Sequence, residues 1–381
     1  MSETAPSCCG GSATGSGCCG GPAAALPALV KAAYLDGDVT TLVGPVPRVR
    51  TSLVASDRRG TIKARLGVGR MQYRVAPGLY AVGEPGASAP VLVTANYKLS
   101  FDALRRELSG RHAWLLVLDT KGINVWCAAG KGTFGTDELV QRIAAVGLDQ
   151  VVRHRTLILP QLGAPGITAH EVKARSGFRV EYGPVRAADL PAYLDNHHQA
   201  TAAMRRVQFN ITDRAIVVPV EVANGLKPAL LLAAAFLVLG GLARDGYAVS
   251  RMLGTGLFAA GGIMGAFLLG AVVGPLLLPW LPGRAFALKG ALLGAAGVAV
   301  WIARAGFGVS MGDWLSLSAW GLLVPSITSF VLMNFTGAST FTSLSGVMRE
   351  MRFAVPLQAV AGILGVGLWV AALLFGAGRS V

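Results

Sequence analysis

The chain has 381 residues, 53% of them hydrophobic and 14% charged, and its mean hydropathy is +0.54. That balance excludes a single water-soluble domain, because part of such a chain has to reside in lipid. The net charge of +14 divides almost evenly at Leu226, and the few aromatic residues do not interleave with the basic ones, so nucleic acid is excluded as a partner and anionic lipid is retained.

Residues 1–25 form a Gly/Ser/Cys tail with almost nothing to bury, the composition of a disordered segment. No basic region followed by an apolar one opens it, so it does not read as a secretory signal. Four of the five cysteines, Cys8, Cys9, Cys18 and Cys19, crowd this tail, and Cys127 stands alone. That is too few, too badly placed, for a disulfide framework, and a reducing compartment fits.

Residues 26–225 have the composition of a mixed globular domain. Strands are expected at 91–95, 114–118 and, briefly, 123–126, with a helix through 101–108. A helix follows at 136–146, with Thr136 as N-cap and Asp137 and Glu138 in its first turn, where the helix dipole favours them. Further strands are expected at 156–159, 178–181 and 215–220. Strands alternating with helices predict an α/β sheet.

Past Leu226 the pattern changes. Residues 226–381 contain long apolar stretches at 226–243, 253–282, 285–303, 314–335 and 354–377, each able to cross about 30 Å of hydrocarbon as a helix. Lys227 and Lys289 lie near span ends, where lysine snorkels. Gly261/Gly265, Gly270/Gly274 and Gly290/Gly294 repeat at the four-residue spacing that lets helices approach. No Asp, Glu or His sits mid-span, which argues for an anchor or docking platform over a proton relay. With Arg205, Arg206, Arg214 and Lys227 ahead of the first span and no export signal, the globular domain is expected on the cytoplasmic side of the inner membrane.

Residues 124–131 read NVWCAAGK, between a short apolar run and the Gly-rich turn GKGTFGTDE. A cysteine here sits where open α/β sheets bind ligands, and in the first turn of a helix unpaired N–H groups, the dipole and Lys131 favour its thiolate. A buried structural cysteine suits the same pattern. The phosphate-cradling Gly-x-x-x-x-Gly-Lys-Ser/Thr motif fails, since Val125 holds the first glycine position and Gly132 the last.

NVWCAAGK resembles, at all eight positions, the signature of the mercury-methylating corrinoid proteins (the HgcA family), and VLVTANYKLSFD and GTFGTDEL are similar to its flanks. More remotely, the cobalamin domain of the corrinoid iron–sulfur protein of the acetyl-CoA pathway is similar. The resemblance implies a Rossmann-like corrinoid-binding α/β domain followed by an all-α five-helix transmembrane domain. It implies a base-off cobalamin-type corrinoid, with Cys127 as lower axial cobalt ligand and Asn124, Val125, Trp126, Ala128, Ala129, Gly130 and Lys131 completing a cap helix beneath the ring. The implied activity is methyl transfer to Hg(II), giving methylmercury under anaerobic conditions. The implied partners are a ferredoxin-like protein with 4Fe–4S clusters (HgcB-type) as reductant and a methyl-folate-dependent donor.

Other readings stay open beside it: a membrane-anchored corrinoid carrier of one-carbon metabolism, or a corrinoid receptor without turnover. Thr94, Asn96 and Thr120, at expected strand ends, are further candidate cofactor contacts, or caps of the next helix. The paired tail cysteines Cys8, Cys9, Cys18 and Cys19 suit capture of a soft ion such as Hg(II). The DNHHQA run at 195–200 falls short of the Asp-x-His-x-x-Gly motif of histidine-ligated corrinoid proteins, and a solvated helix face accounts for it.

Overall fold

The structure is a computed structural model that describes residues 32–305, 311–335 and 344–375. The chain divides into two compact units, one of Met1–Val54 with Arg74–Ala200 and one of Ala55–Tyr73 with Thr201–Val381.

The first unit is built on seven strands: β1 (Leu35–Thr41), β2 (Gly44–Val49), β3 (Gly78–Val82), β4 (Val91–Ala95), β5 (Ala113–Leu118), β6 (Thr156–Leu159) and β7 (Arg179–Tyr182). Their order is β1-β2-β3-β5-β4-β6-β7. β5, β4, β6 and β7 run parallel, and the antiparallel hairpin β1–β2 and β3 extend the sheet beyond β5. Parallel strands are covered on both faces, so they read as unbroken apolar runs, and every residue of VLVTA in β4 and AWLLVL in β5 is buried. From β4 the chain steps to β5 on one side and then returns to β6 on the other. This reversal between β4 and β6 is the switch point of a doubly wound sheet.

The helices are α1 (Ala55–Arg65), α2 (Lys98–Arg106), α3 (Val125–Lys131), α4 (Thr136–Ala145), α5 (Leu148–Val151), α6 (Ala169–Ser176) and α7 (Leu190–Asp195). Three sequence expectations need correction. The strand at 123–126 does not form, because Asn124 caps α3 and Val125 already begins it. Thr136 is not an N-cap: Gly135 takes that position, and the Thr136 hydroxyl accepts from Thr168 N–H at 2.8 Å. The strand at 215–220 is the interior of a helix, Ile211–Leu239, begun by a capping box in which Asn210 Oδ1 accepts from Asp213 N–H and Asp213 Oδ2 from Asn210 N–H. Its β-branched run IVVPV imitates a strand, but a cap at the right spacing outweighs a propensity of a few tenths of a kcal/mol per residue.

The DNHHQA run is also not a helix face. Asp195 ends α7 and is gripped by both terminal nitrogens of Arg111 at 2.7–2.8 Å, a pair that holds its carboxyl below the usual carboxylate range. His197 and His198 follow with φ of 49° and 62°, and His198 stacks on Tyr193. The run is the corner that turns the chain out of the sheet unit.

Among the described residues of the second unit five helices are long and apolar enough to cross a membrane: Ile211–Leu239, Val249–Leu277, Phe286–Arg304, Trp314–Met333 and Gly346–Phe375. An α/β domain followed by five such helices is the expected architecture. The first helix starts well before the hydropathy rise at Leu226, since its cap lies at Asn210. Two of the three glycine pairs are close-approach points. A Cβ on Gly290 would lie 2.6 Å from Ser329 Cα, one on Gly294 2.6 Å from Pro325 Cα, and ones on Gly270 and Gly274 within 2.8 Å of Val331 and Leu332 side chains. Gly261 and Gly265 face open space. The proximity lets the Ser329 hydroxyl donate to Ala287 O (2.8 Å) and that of Thr328 to Ala266 O (3.2 Å). Lys289 is buried and its ammonium donates to Leu278 O at 2.6 Å, one residue past the end of the second span. Gly294→Leu, which meets backbone, is expected to cost about 3 kcal/mol or more, seen as a lowered melting temperature in detergent, with Gly265→Leu near neutral.

Candidate functional site

The sheet's ligand-binding end is organised by Asn96, just past β4. Its side-chain carbonyl accepts from Thr120 N–H (3.2 Å), the Thr120 hydroxyl (2.9 Å) and Gly122 N–H (3.0 Å), and its amide donates to Asp119 Oδ1 (3.0 Å). The same Thr120 hydroxyl lies 2.7 Å from Ile123 O, so its one proton is shared between the two carbonyls and ties Asn96 to the turn that delivers Asn124. Asn96 and Thr120 are buried and spend their polar groups on each other and on this turn, so they brace the site from within.

Asp119 closes the brace. Burial alone would raise its pKa, but hydrogen bonds from the Lys121 side chain and backbone and from the Asn96 amide outweigh that and hold the carboxyl below its usual value. A depressed folded-state pKa contributes stability above the unfolded carboxylate range, lost as pH falls through the folded value. Asp119→Asn is therefore expected to be less stable than the parent at neutral pH, with the gap closing in acid, as urea titrations at several pH values would read.

α3 is a short helix with both ends tied. Asn124 Oδ1 accepts from Cys127 N–H at 2.9 Å, satisfying a first-turn donor, and Gly132 ends the helix at φ 80°. Val125, Ala128 and Ala129 are buried. The 3₁₀ segment Gln161–Gly166 supports that face. A Cβ on Gly166 would lie 2.1 Å from Phe134 O and 3.0 Å from Ala129 Cα, and one on Gly163 2.5 Å from the Phe134 ring. Only glycine admits so close an approach. Gly163 and Gly166 went unremarked in the sequence, although the Gly/Pro run QLGAPG directly after a strand marks such a contact.

The other face of α3 is open. Trp126 is 41% exposed, Cys127 is half-buried with a free thiol, Gly130 and Lys131 are exposed, and a Cβ on Gly130 would meet nothing within 4 Å. The thiol thus shares its helix with an exposed tryptophan and a glycine that has open space in front of it. Beside it, at the β4/β6 switch point, lies a largely apolar cleft of about 340 Å³ that Thr94, Asn124 and Trp126 line together with Ser100, Pro160 and Arg186. Of the candidate residues, the structure brings Thr94, Asn124, Val125 and Trp126 together at this cleft, leaves Cys127 and 128–131 on the same helix outside its lining, and turns Asn96 and Thr120 inward. Cys8, Cys9, Cys18 and Cys19 lie outside the described residues. Among those described, no three His, Cys, Asp or Glu side chains gather as a metal site.

The cleft lies at the switch point of a doubly wound α/β sheet, the place where open sheets of this kind take ligands, and the thiol-bearing helix α3 stands on its rim. The family described as CO dehydrogenase/acetyl-CoA synthase delta subunit matches residues 69–194, which contain the whole site. Acetyl-CoA decarbonylase/synthase complex subunit gamma of Methanopyrus kandleri is 31% identical over 128 residues, 33% of this chain and 27% of the relative. That of Archaeoglobus fulgidus is 30% identical over 130 residues (34% and 27%), and subunit gamma 2 of Methanosarcina thermophila 34% over 123 (31% and 26%). The chain spans about a quarter of the length of these relatives.

Proposed function

We propose that the α/β domain carries a base-off cobalamin-type corrinoid as a methyl carrier and that the full chain is a corrinoid-dependent methyltransferase that methylates Hg(II). The observation that carries this reading is the placement of Cys127 on the open face of α3, beside the clearance over Gly130. A lone thiol cannot chelate a free ion, but Cys127 would help to hold a metal already bound in a macrocycle, and soft thiolate ligation is among the strongest controls a protein has over such a metal. When bound, the corrinoid supplies a cobalt that takes a methyl group from a donor and yields it to an acceptor.

The chain's own residues do the rest. Asn124 fixes the first turn that presents the thiol, Gly130 leaves room for a ring, Val125, Ala128 and Ala129 anchor the helix from below, and Trp126 walls the cleft. Low-potential electrons must come from outside, from a ferredoxin-like partner with 4Fe–4S clusters, and the methyl group from a methyl-folate-dependent donor. The apolar helices hold the site at the cytoplasmic face of the inner membrane.

The similarity to gamma subunits of acetyl-CoA decarbonylase/synthase favours a second reading, a membrane-anchored corrinoid carrier of one-carbon metabolism. An anaerobic assay of the corrinoid-loaded full chain with reductant, methyl-folate and its methyltransferase, with and without Hg(II), separates them: methylmercury over many turnovers supports the first, and methyl loading without it supports the second. In the same assay, removing residues 2–20 is expected to slow methylation at nanomolar Hg(II) and to leave it unchanged at saturation, as capture of a soft ion by Cys8, Cys9, Cys18 and Cys19 requires.

A further inference from the structure

Between β2 and β3 the chain leaves the sheet, and the excursion Ala55–Tyr73 belongs to the unit that holds the long apolar helices. It comprises α1 and a turn, LGVG, at 66–69. Arg58, Arg59, Lys63, Arg65 and Arg70 put five basic residues into nineteen, a local concentration hidden by the even division of charge along the chain. The one acidic residue of the segment, Asp57, is buried. Among these cations four large apolar side chains, Ile62, Leu66, Val68 and Met71, are 47–62% exposed. In water that is an unfavourable surface, since monomeric proteins seldom leave such side chains clustered and uncovered.

The position of the turn supplies the cover. A Cβ built on Gly67 would lie 3.7 Å from Asn224 Oδ1 and 4.0 Å from Ala223 Cβ, so the turn rests on the helix Ile211–Leu239. Two residues further along that helix the outward-facing leucines begin, Leu226, Leu230 and Leu231. We infer that the 55–73 excursion is a lipid-binding element for an acidic leaflet. The Leu66–Val68 tip enters the acyl boundary beside the first span, while Arg58, Arg59, Lys63 and Arg65, on side chains long enough to snorkel, hold headgroup phosphates. Apolar insertion and cation–headgroup attraction each give marginal binding alone and firm binding together, and the electrostatic share falls with salt.

The test is hydrogen exchange of the full chain in liposomes of phosphatidylcholine alone or with about one-third phosphatidylglycerol. Amides of residues 62–72 are expected to exchange at least about tenfold more slowly in the acidic vesicles, with the difference removed by about 0.5 M salt and by the combined Arg58→Gln, Arg59→Gln, Lys63→Gln and Arg65→Gln substitutions. Peptides from β4 and β5 should not change in any arm and report that the fold is intact. Equal protection in both vesicle types and in detergent would mean that protein covers the segment and would overturn the inference, as would equal lack of protection. The salt arm needs no variant and decides the matter even where the fourfold substitution fails to fold.

Discussion

Cys127→Ala is expected to leave the α/β domain folded and to remove its chemistry. The bond that orders the first turn of α3 runs from the backbone N–H of residue 127 to Asn124, so it survives the substitution, and the thiol itself lies on the half-open face. Stability should therefore change by less than about 1 kcal/mol, the range for a surface-side substitution that removes no cap or core volume. On the proposed function, in which Cys127 would be a primary ligand of the corrinoid cobalt, the thiolate–cobalt signature in the visible spectrum should vanish and methyl transfer should fall by at least about 100-fold, the upper end of what outer-shell changes at metal sites cost. Asn124→Ala is the informative contrast: it removes the cap, costs about 1 kcal/mol, and leaves the sulfur in place. A Cys127→Ala protein that kept both the spectrum and the turnover would sink the ligand assignment.

The second large effect belongs to a group far from that chemistry. Asp102, in the middle of α2, accepts from Lys98 Nζ with both carboxylate oxygens at 2.7 Å and from Arg105 Nε at 2.7 Å, and all three residues are at most 5% exposed. Arg105 reaches on to Arg50 O (2.5 Å) and Ser52 O (3.1 Å), which ties α2 to the segment after β2, and Lys98 lies 4.9 Å over the Tyr34 ring. Whether the triad as a whole outperforms apolar packing is a separate matter from what happens when its carboxylate goes. Asp102→Ala takes the carboxylate from between two buried cations, a loss of about 3–5 kcal/mol, which is a large part of the 5–15 kcal/mol that holds a typical domain together. Denaturant unfolding should show it as a fall in midpoint at unchanged slope. A loss below about 1 kcal/mol would mean that water reaches the triad.

The parts of the fold legible in the sequence are those where one signal dominates. β4 and β5 are unbroken apolar runs because both of their faces are covered, and the five apolar helices are long because hydrocarbon is thick; each follows from burial alone. The hairpin β1–β2 was not legible: LDGDVTT and GPVPRV carry Asp, Gly and two prolines, and a sheet edge tolerates what a central strand rejects. The helical fate of 215–220 was set by Asn210 and Asp213, outside the misleading β-branched run. At the candidate site, the string 124–131 spans the whole of α3, and Asn124 is its N-cap. The inward turn of Asn96 and Thr120 was invisible, since a polar residue at a strand end serves a ligand or its own backbone equally well, and only the three donors converging on Asn96 Oδ1 decide between them.

The detour of residues 55–73 has a practical corollary for anyone wishing to free the sheet from the bilayer. The chain crosses between the two units three times, after Val54, before Arg74 and after Ala200, so truncation at the last crossing alone leaves a greasy, cationic flap on an otherwise tractable protein. A well-behaved excised sheet calls for a second edit that replaces residues 55–73 with a polar crossover, since β2 and β3 run parallel and a tight turn does not join parallel neighbours.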